Sequence, residues 1–287
     1  MQNIIFFGFV MCSHRFDLKC EEEKIMNEKA NYGNWVPEKA LYMLFGAAVL
    51  LGVIAVLAQT VLDKPVVTAV SGVLCVVALV MAVYMLICHE TFAFGKGNMM
   101  VGVHEHLVEH LDWNGEGRLL DIGCGAAALT VRCAKAFPKA QITAMDYWGA
   151  EWNYAKEQCE RNAQIEGVAD RISFQKGDAA KLDFPDETFD AAVSNFVFHE
   201  VRTAKDKRDV VREALRVVKK GGVFSFQDMF SQKALYGDME QFVRELKAEG
   251  ISEVHYIGNL EKKLDFIPEF VTTPWMISGM GIIYGKK

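Results

Sequence analysis

The chain has 287 residues, a net charge of −6 and seven cysteines. The acidic balance excludes a general nucleic-acid binder, which carries a basic excess. The odd, scattered cysteines form no CxxC pair, which excludes a zinc framework and fits a reducing compartment.

Residues 1–25 differ in character from the rest of the chain. Residues 4–12 are apolar, but no basic residue precedes them and no small-residue cleavage site comes after, so they do not read as a signal peptide. Two readings remain. One is a flexible tail. The other is a translated ribosome-binding site of a bacterial gene, spelled by Glu21-Glu22-Glu23-Lys24-Ile25, with the natural start at Met26. The N-terminal segment as a whole spans residues 1–39.

Residues 40–62 and 65–88 contain no charged side chain. Each run is long enough to cross a bilayer core of about 30 Å as a helix. Asp63-Lys64 divides them, and Pro65 suits the first turn of the second. The pattern predicts a two-helix transmembrane hairpin over 40–88, with small residues (Gly46, Ala47, Ala48, Gly52, Ala55) for close helix contact and Trp35 at the interface. An even number of spans returns the chain to its starting side. The expected location is the cell membrane, multi-pass, with the rest of the chain in the cytoplasm.

Residues 89–98, with glycines at 95 and 97, read as a linker, and 99–287 as a second domain. Its first stretch, 99–113, is an amphipathic helix containing His106-Leu107-Val108-Glu109-His110. That spacing matches an inverted zincin motif. No third ligand follows at a fixed offset, so the expected reading is a polar, exposed helix face and no metal.

The informative stretch is Leu119-Leu120-Asp121-Ile122-Gly123-Cys124-Gly125, a buried strand and a glycine turn, followed by a helix over 126–136. The free N–H groups of that helix face the turn. The turn is a nucleotide-type cradle, and Asp121 decides which nucleotide. A carboxylate there repels a pyrophosphate but attracts the amino group of S-adenosyl-L-methionine, whose carboxylate can meet the turn N–H groups.

The second strand, 141–146, ends in Asp146-Tyr147-Trp148. Asp146 lies about twenty residues past the glycines, where an acid accepts hydrogen bonds from ribose hydroxyls. Tyr147 or Trp148 can wall the pocket or simply pack. A helix follows over 152–166, then strand three over 171–176. Gly177-Asp178-Ala179 comes next, with Asp178 placed for the adenine amine. Strand four, 190–194, empties into Asn195-Phe196-Val197-Phe198-His199. His199 has the chemistry of a general base for methyl transfer, or of a structural histidine bonding its own loop. A helix over 205–218 is expected to end on Lys219-Lys220-Gly221-Gly222 as its cap. Strand five covers 223–227, a helix 239–250, and the last strands 254–257 and 280–284. Between these, 264–276 is apolar and broken by Pro268 and Pro274. It can shape a substrate site, lie near a bilayer, or pack.

These motifs, in this order, resemble the class I S-adenosylmethionine-dependent methyltransferases, and most of all those of the ubiquinone/menaquinone-methylating type. The matching residues are 120–125, Asp146, 177–179, 189–195 and 215–222. The resemblance covers 99–287 and implies an α/β fold: a Rossmann-like seven-stranded sheet of order 3-2-1-4-5-7-6 with strand 7 antiparallel. The candidate cofactor-binding residues are Asp121, Gly123, Cys124, Gly125, Asp146, Tyr147, Asp178, Ala179 and Asn195. The candidate catalytic residues are His199 and Asn195. Where the family often has a third glycine, this chain has Ala127, which reads as a helix start. The expected function is methyl transfer to a small, lipophilic acceptor at the cytoplasmic membrane face, with no nucleic acid and no obligate protein partner. The alternative is a non-catalytic cofactor-binding membrane module.

Overall fold

A computed structural model describes residues 28–95, 97, 99–149 and 156–287. Residues 1–27, with the Met26 start, lie outside the described residues, as do 96 and 98 of the linker and 150–155, which include the start of the helix expected over 152–166.

The chain divides into two compact units. One comprises 33–104 and 261–277. Within it, α1 (Glu38–Thr60) and α2 (Pro65–Phe92) form an antiparallel hairpin. Their 23 and 28 residues correspond to about 34 and 42 Å of helix. The turn closes through Lys64 N–H donating to the Ala58 carbonyl at 2.8 Å. Cys75 Sγ donates to the Ala48 carbonyl at 3.1 Å, and Gly52 faces Cys75, so the helices meet over small residues. The outer faces expose Val49, Leu50, Val56, Val66, Val73 and Val80 by more than half.

The linker begins later than the sequence suggests, because α2 continues through His89-Glu90-Thr91-Phe92. Its end is pinned: His89 Nδ1 lies 2.8 Å from the Val36 carbonyl, Asn34 donates to the His89 carbonyl, and Trp35 stacks on Phe92. Residues 261–277 belong to this unit, and Tyr84 Oη donates to the Phe270 carbonyl at 3.0 Å.

The other unit holds 105–260 and 278–287, with 28–32 among its described residues. After the part of α3 (Met99–Glu109) that falls in this unit, from Glu105 on, come β1 (Gly117–Ile122), α4 (Ala128–Ala136), β2 (Ala140–Asp146), α5 (Lys156–Ile165) and β3 (Ile172–Lys176). Then follow β4 (Phe189–Asn195), α6 (Lys207–Arg216), β5 (Val218–Asp228), a one-turn α7 (Lys233–Tyr236), α8 (Met239–Ala248), β6 (Glu253–Gly258) and β7 (Gly281–Lys286). The sheet runs β3-β2-β1-β4-β5-β7-β6, with β7 antiparallel to both neighbours. This is the order expected from the sequence.

Alternation within the central strands builds two cores. Leu120, Ile122, Ala192, Phe224 and Phe226 face one side, covered by apolar residues of α6 and α8. Leu119, Ala191 and Val193 face the other, covered by α3, α4 and α5. Helices on both faces explain why the middle of each strand, Leu119-Leu120 in β1 and Ala191-Ala192-Val193 in β4, is apolar on both sides.

Lys219-Lys220-Gly221-Gly222 is not a helix cap. α6 ends at Arg216, and these residues lie within β5. The ladder pairs Phe189 with Val218 and then Ala191 with Val223, so 219–222 bulge out. Gly221 takes φ +76°, and Lys219 Nζ reaches Asp190 at 2.7 Å. The glycines serve a strand bulge, and the lysine a cross-strand ion pair.

Candidate active site

The carboxyl ends of β1, β2 and β4 meet at the glycine turn, the place where open parallel sheets bind ligands. Gly123 and Gly125 hold φ +75° and +55°. A Cβ on Gly123 would stand 2.3 Å from Val197 Cγ2, so only glycine lets the loop after β4 close over the turn. The N–H groups of Gly123 and Cys124 donate to the Met145 carbonyl at 2.8 and 3.0 Å, tying the turn to β2.

Ala127 does not start the helix. It is the residue before α4 and takes φ +68°, in the left-handed region. Its N–H closes a turn on the Cys124 carbonyl at 2.8 Å, and its carbonyl accepts from Val131 in the first turn of α4. The chain has to reverse there, which is the geometric reason a glycine is favoured, and alanine bears a cost of about 1 kcal/mol. No side chain caps α4, so its first N–H groups remain open toward an anionic ligand.

Asp121 is 1% exposed. Thr130 Oγ1 donates to its Oδ2 at 2.5 Å, while Oδ1 has no partner among the described residues. Burial pushes its carboxyl up to about 7, with the Thr130 hydrogen bond opposing and the Asp146 charge adding. A buried, half-satisfied carboxylate of this kind is costly unless a cation comes to it.

Asp146 is half-buried and spans the rim of the turn. Its Oδ2 accepts from Gly125 N–H and its Oδ1 from Trp148 N–H, both at 2.8 Å. Trp148 takes φ +41° and donates its indole N–H to the Gly125 carbonyl at 3.2 Å. Trp148 is therefore the aromatic at the cradle. Tyr147 is 63% exposed, with Lys176 over its ring. Cys124 is buried beside Cys159, whose Sγ donates to the same Gly125 carbonyl at 3.0 Å. Asp178 Oδ1 accepts from Ala180 N–H and Thr203 Oγ1, at 2.9 and 3.1 Å, and Ala179 is buried beneath it.

Asn195 and His199 stand at the end of β4, each held by a residue of β5. Gln227 Nε2 donates to Asn195 Oδ1 at 2.9 Å. Asp228 Oδ1 lies 2.8 Å from His199 Nδ1, and its Oδ2 accepts from Phe198 N–H at 2.8 Å. Burial pulls the His199 imidazolium down, but the Asp228 hydrogen bond and charge, with Glu200, outweigh it and leave the pKa above the ordinary value. His199 Nε2 lies 3.5 Å from Glu200 Oε1, so the ring stands between two carboxylates and has the chemistry of a general base.

Asp228 and Gln227 are the polar residues that sequence reasoning missed. The available signal was an apolar strand, Val223-Phe224-Ser225-Phe226, ending in two polar groups at the ligand-binding edge. Asn162 was also missed. Buried on α5, it bonds Asn31 twice and donates to the Ala126 carbonyl, tying residues 28–32 to the cradle.

His106 and His110 are half-buried rather than an exposed polar face. Their rings lie 4.3 Å apart, His110 packs edge-on against Tyr284, and His110 Nδ1 lies 2.7 Å from the His106 carbonyl. Among the described residues, no group of three or more potential ligands could hold a metal ion.

Residues 120–226 match the family model described as a methyltransferase domain. The chain carries a methyltransferase domain. A sterol 24-C-methyltransferase of Aspergillus fumigatus is 32% identical over 136 residues, covering 47% of this chain and 34% of that protein. A 27-O-demethylrifamycin SV methyltransferase of Amycolatopsis mediterranei is 33% identical, covering 45% of each chain. A ubiquinone/menaquinone biosynthesis C-methyltransferase of Pseudomonas fluorescens is 34% identical, covering 37% of this chain and 39% of its own. The match spans less than half the length of each of these relatives. The cofactor of such a domain is S-adenosylmethionine. The residues present fit it: an unpartnered buried carboxylate oxygen for the ammonium, an uncapped helix start for the carboxylate, and no basic residue in the turn to call for a pyrophosphate.

Proposed function

We propose that this protein transfers a methyl group from S-adenosylmethionine to a lipophilic acceptor at the cytoplasmic face of a membrane. The unpartnered oxygen of Asp121 carries the cofactor half of the reading. A buried carboxylate with an open lone pair beside a glycine turn is matched to an ammonium and mismatched to a phosphate. Bound there, the cofactor supplies a methyl group activated by a sulfonium. Asp121 holds the ammonium, Asp146 and Asp178 stand at the positions for ribose and adenine, and the start of α4 meets the carboxylate. His199, oriented by Asp228, takes the proton that an acceptor has to lose.

The membrane half rests on α1 and α2. Their length, the absence of charge within 40–62 and 65–88, and their exposed apolar faces suit a bilayer. Phe270 and Trp275, 41% and 68% exposed in the same unit, suit its interface. An anchored enzyme gains most from an acceptor that is itself dissolved in the bilayer. The sterol and quinone-pathway names of two relatives agree with such an acceptor.

The test uses the full-length protein in detergent. Calorimetry should give micromolar binding of S-adenosylmethionine and S-adenosylhomocysteine, none of NAD, and loss of both in Asp146→Ala. Incubation with methyl-labelled cofactor and a membrane extract should then place label in the organic phase. Binding of NAD instead would overturn the cofactor assignment. Label confined to water-soluble products would overturn the lipophilic acceptor.

A further inference from the structure

Asn162 of α5 uses its carboxamide as a peptide group. The side chain is 1% exposed, and it meets the backbone of Asn31 as a neighbouring strand would. Its Oδ1 accepts from Asn31 N–H at 2.8 Å, and its Nδ2 donates to the Asn31 carbonyl at 2.8 Å. A carboxamide has a second donor, and here it goes to the Ala126 carbonyl at 2.9 Å. One hydrogen of Nδ2 thus holds the N-terminal segment and the other holds the glycine turn.

The same helix face binds the rest of that segment. Gln158 Nε2, one turn before Asn162, also donates to the Asn31 carbonyl. Arg161 reaches Glu28 at 2.8 Å, and Tyr32 Oη donates to Glu166, just past the end of α5, at 2.8 Å. Residues 28–32 are a strap laid along α5.

The turn needs the hold that the strap completes. The Gly125 carbonyl is taken by Trp148 and Cys159, and the Ala126 carbonyl by Asn162. The C=O and N–H of a trans peptide point in opposite directions, so the bonds to Gly125 turn the Ala126 N–H away from α5. That N–H makes no hydrogen bond among the described residues, which leaves it for an anionic ligand. Without Asn162, the buried Ala126 carbonyl would lose its partner, and the peptide that enters left-handed Ala127 would lose its outer anchor.

We propose that docking of residues 28–32 on α5 and binding of the cofactor are mutually dependent, with Asn162 as the positioning residue that joins them. The inference rests on the methyltransferase reading and adds a regulator to its cofactor site: an event that lifts the strap lowers cofactor affinity. The cofactor requires the turn in one arrangement, whereas a ligand-free turn that has lost its anchor can relax, so the worth of the anchor appears as affinity. Linkage makes the effect reciprocal. The factor by which undocking weakens the cofactor is the factor by which the cofactor holds the strap down.

The test uses full-length protein in detergent, with S-adenosylhomocysteine as the ligand, well below the melting temperature. In calorimetry Asn162→Ala should bind about tenfold more weakly than wild type, as loss of the partner of a buried carbonyl does. Asn31→Pro leaves α5 and the turn as they are and removes the N–H that Asn162 accepts; it should bind about threefold more weakly, the worth of a modest hydrogen bond. Hydrogen exchange read by mass spectrometry supplies the signal that a residue merely bracing α5 would not move. In wild type, saturating ligand should slow exchange across 28–32 by the same factor that separates Asn31→Pro from wild type in affinity. In Asn162→Ala the ligand should make no difference there. Should Asn162→Ala lack a melting transition, Asn31→Pro and the wild-type exchange carry the test. Wild-type affinity in either folded variant, or wild-type exchange at 28–32 that ignores the ligand, would overturn the proposal while S-adenosylhomocysteine still binds. Failure of the wild type to bind S-adenosylhomocysteine would bring down the methyltransferase reading itself.

Discussion

Replacing Asp121 by asparagine should make the ligand-free protein more stable and its cofactor affinity poorer. The ordinary carboxyl value is 3.8, and in the folded protein burial pushes Asp121 up to about 7. Between those two pH values the folded state keeps a proton that the unfolded state has released. Stability therefore falls as pH rises through that window, and the full loss is present above pH 7. At about 1.4 kcal/mol per pH unit, the interval amounts to about 4 kcal/mol. Asparagine keeps an acceptor for Thr130 but leaves a buried N–H₂ without a partner, which costs about 1–2 kcal/mol. The net gain is about 2–3 kcal/mol at pH 8, or about 5–10 °C in melting temperature for a domain of this size. It should vanish near pH 5 and change sign below that. Melting curves of both proteins between pH 5 and 8.5 measure this directly. The cofactor's ammonium reverses the sign: it restores the ionised carboxylate, so wild-type affinity should rise with pH up to about 7 and then level. Asp121→Asn should bind S-adenosylmethionine about 10–100-fold more weakly, with no such pH dependence. A variant that melts no higher than wild type at pH 8, or binds as tightly with the same pH profile, would refute the assignment of Asp121.

Three further outcomes are expected of the same candidate site. Gly123→Ala puts a Cβ 2.3 Å from Val197 at φ +75°; strain and overpacking together should cost about 2–5 kcal/mol, read as a lowered melting temperature. The double variant with Val197→Ala should recover the overpacking part but not the backbone part. Ala127→Gly relieves φ +68° and should raise stability by up to about 1 kcal/mol, with cofactor affinity equal to or better than wild type in calorimetry. Asp228→Asn should bring the His199 pKa down toward or below its ordinary value, since the anion that raises it is gone; histidine ring NMR signals followed against pH would show the shift.

The sheet was legible in the sequence because the middles of β1 and β4 are buried on both faces and therefore apolar at consecutive positions. Asp121, Asp146 and Asp178 stood out because each is an acid placed directly where such a strand ends. Lys219-Lys220-Gly221-Gly222 misled because basic residues followed by glycines satisfy two different geometries. A helix end wants cations near its carbonyls and a left-handed residue after them. A strand bulge wants the same left-handed glycine, and here Asp190 across the ladder wants the lysine. Only the pairing of Phe189 with Val218 decides between them, and pairing is not a local property. Ala127 misled in the opposite way, since its high helix propensity says nothing about a chain that has to reverse direction at that residue.

The β5 residues show why a site is harder to read than the fold that carries it. His199 is conspicuous by its type, yet its role as a base or as a structural histidine turns on what stands behind Nδ1. That partner, Asp228, lies 29 residues away in sequence, and its own placement depends on the bulge at 219–222. The ladder resumes at Ala191–Val223 and runs in register to Asn195–Gln227. Shortening the bulge by one residue would move Asp228 to the other face of the sheet and bring Gln227 out of register with Asn195. The bulge thus sets which of the two polar residues meets the histidine and which meets the asparagine, so a stretch that looks like a helix cap is what aligns the two halves of the candidate site.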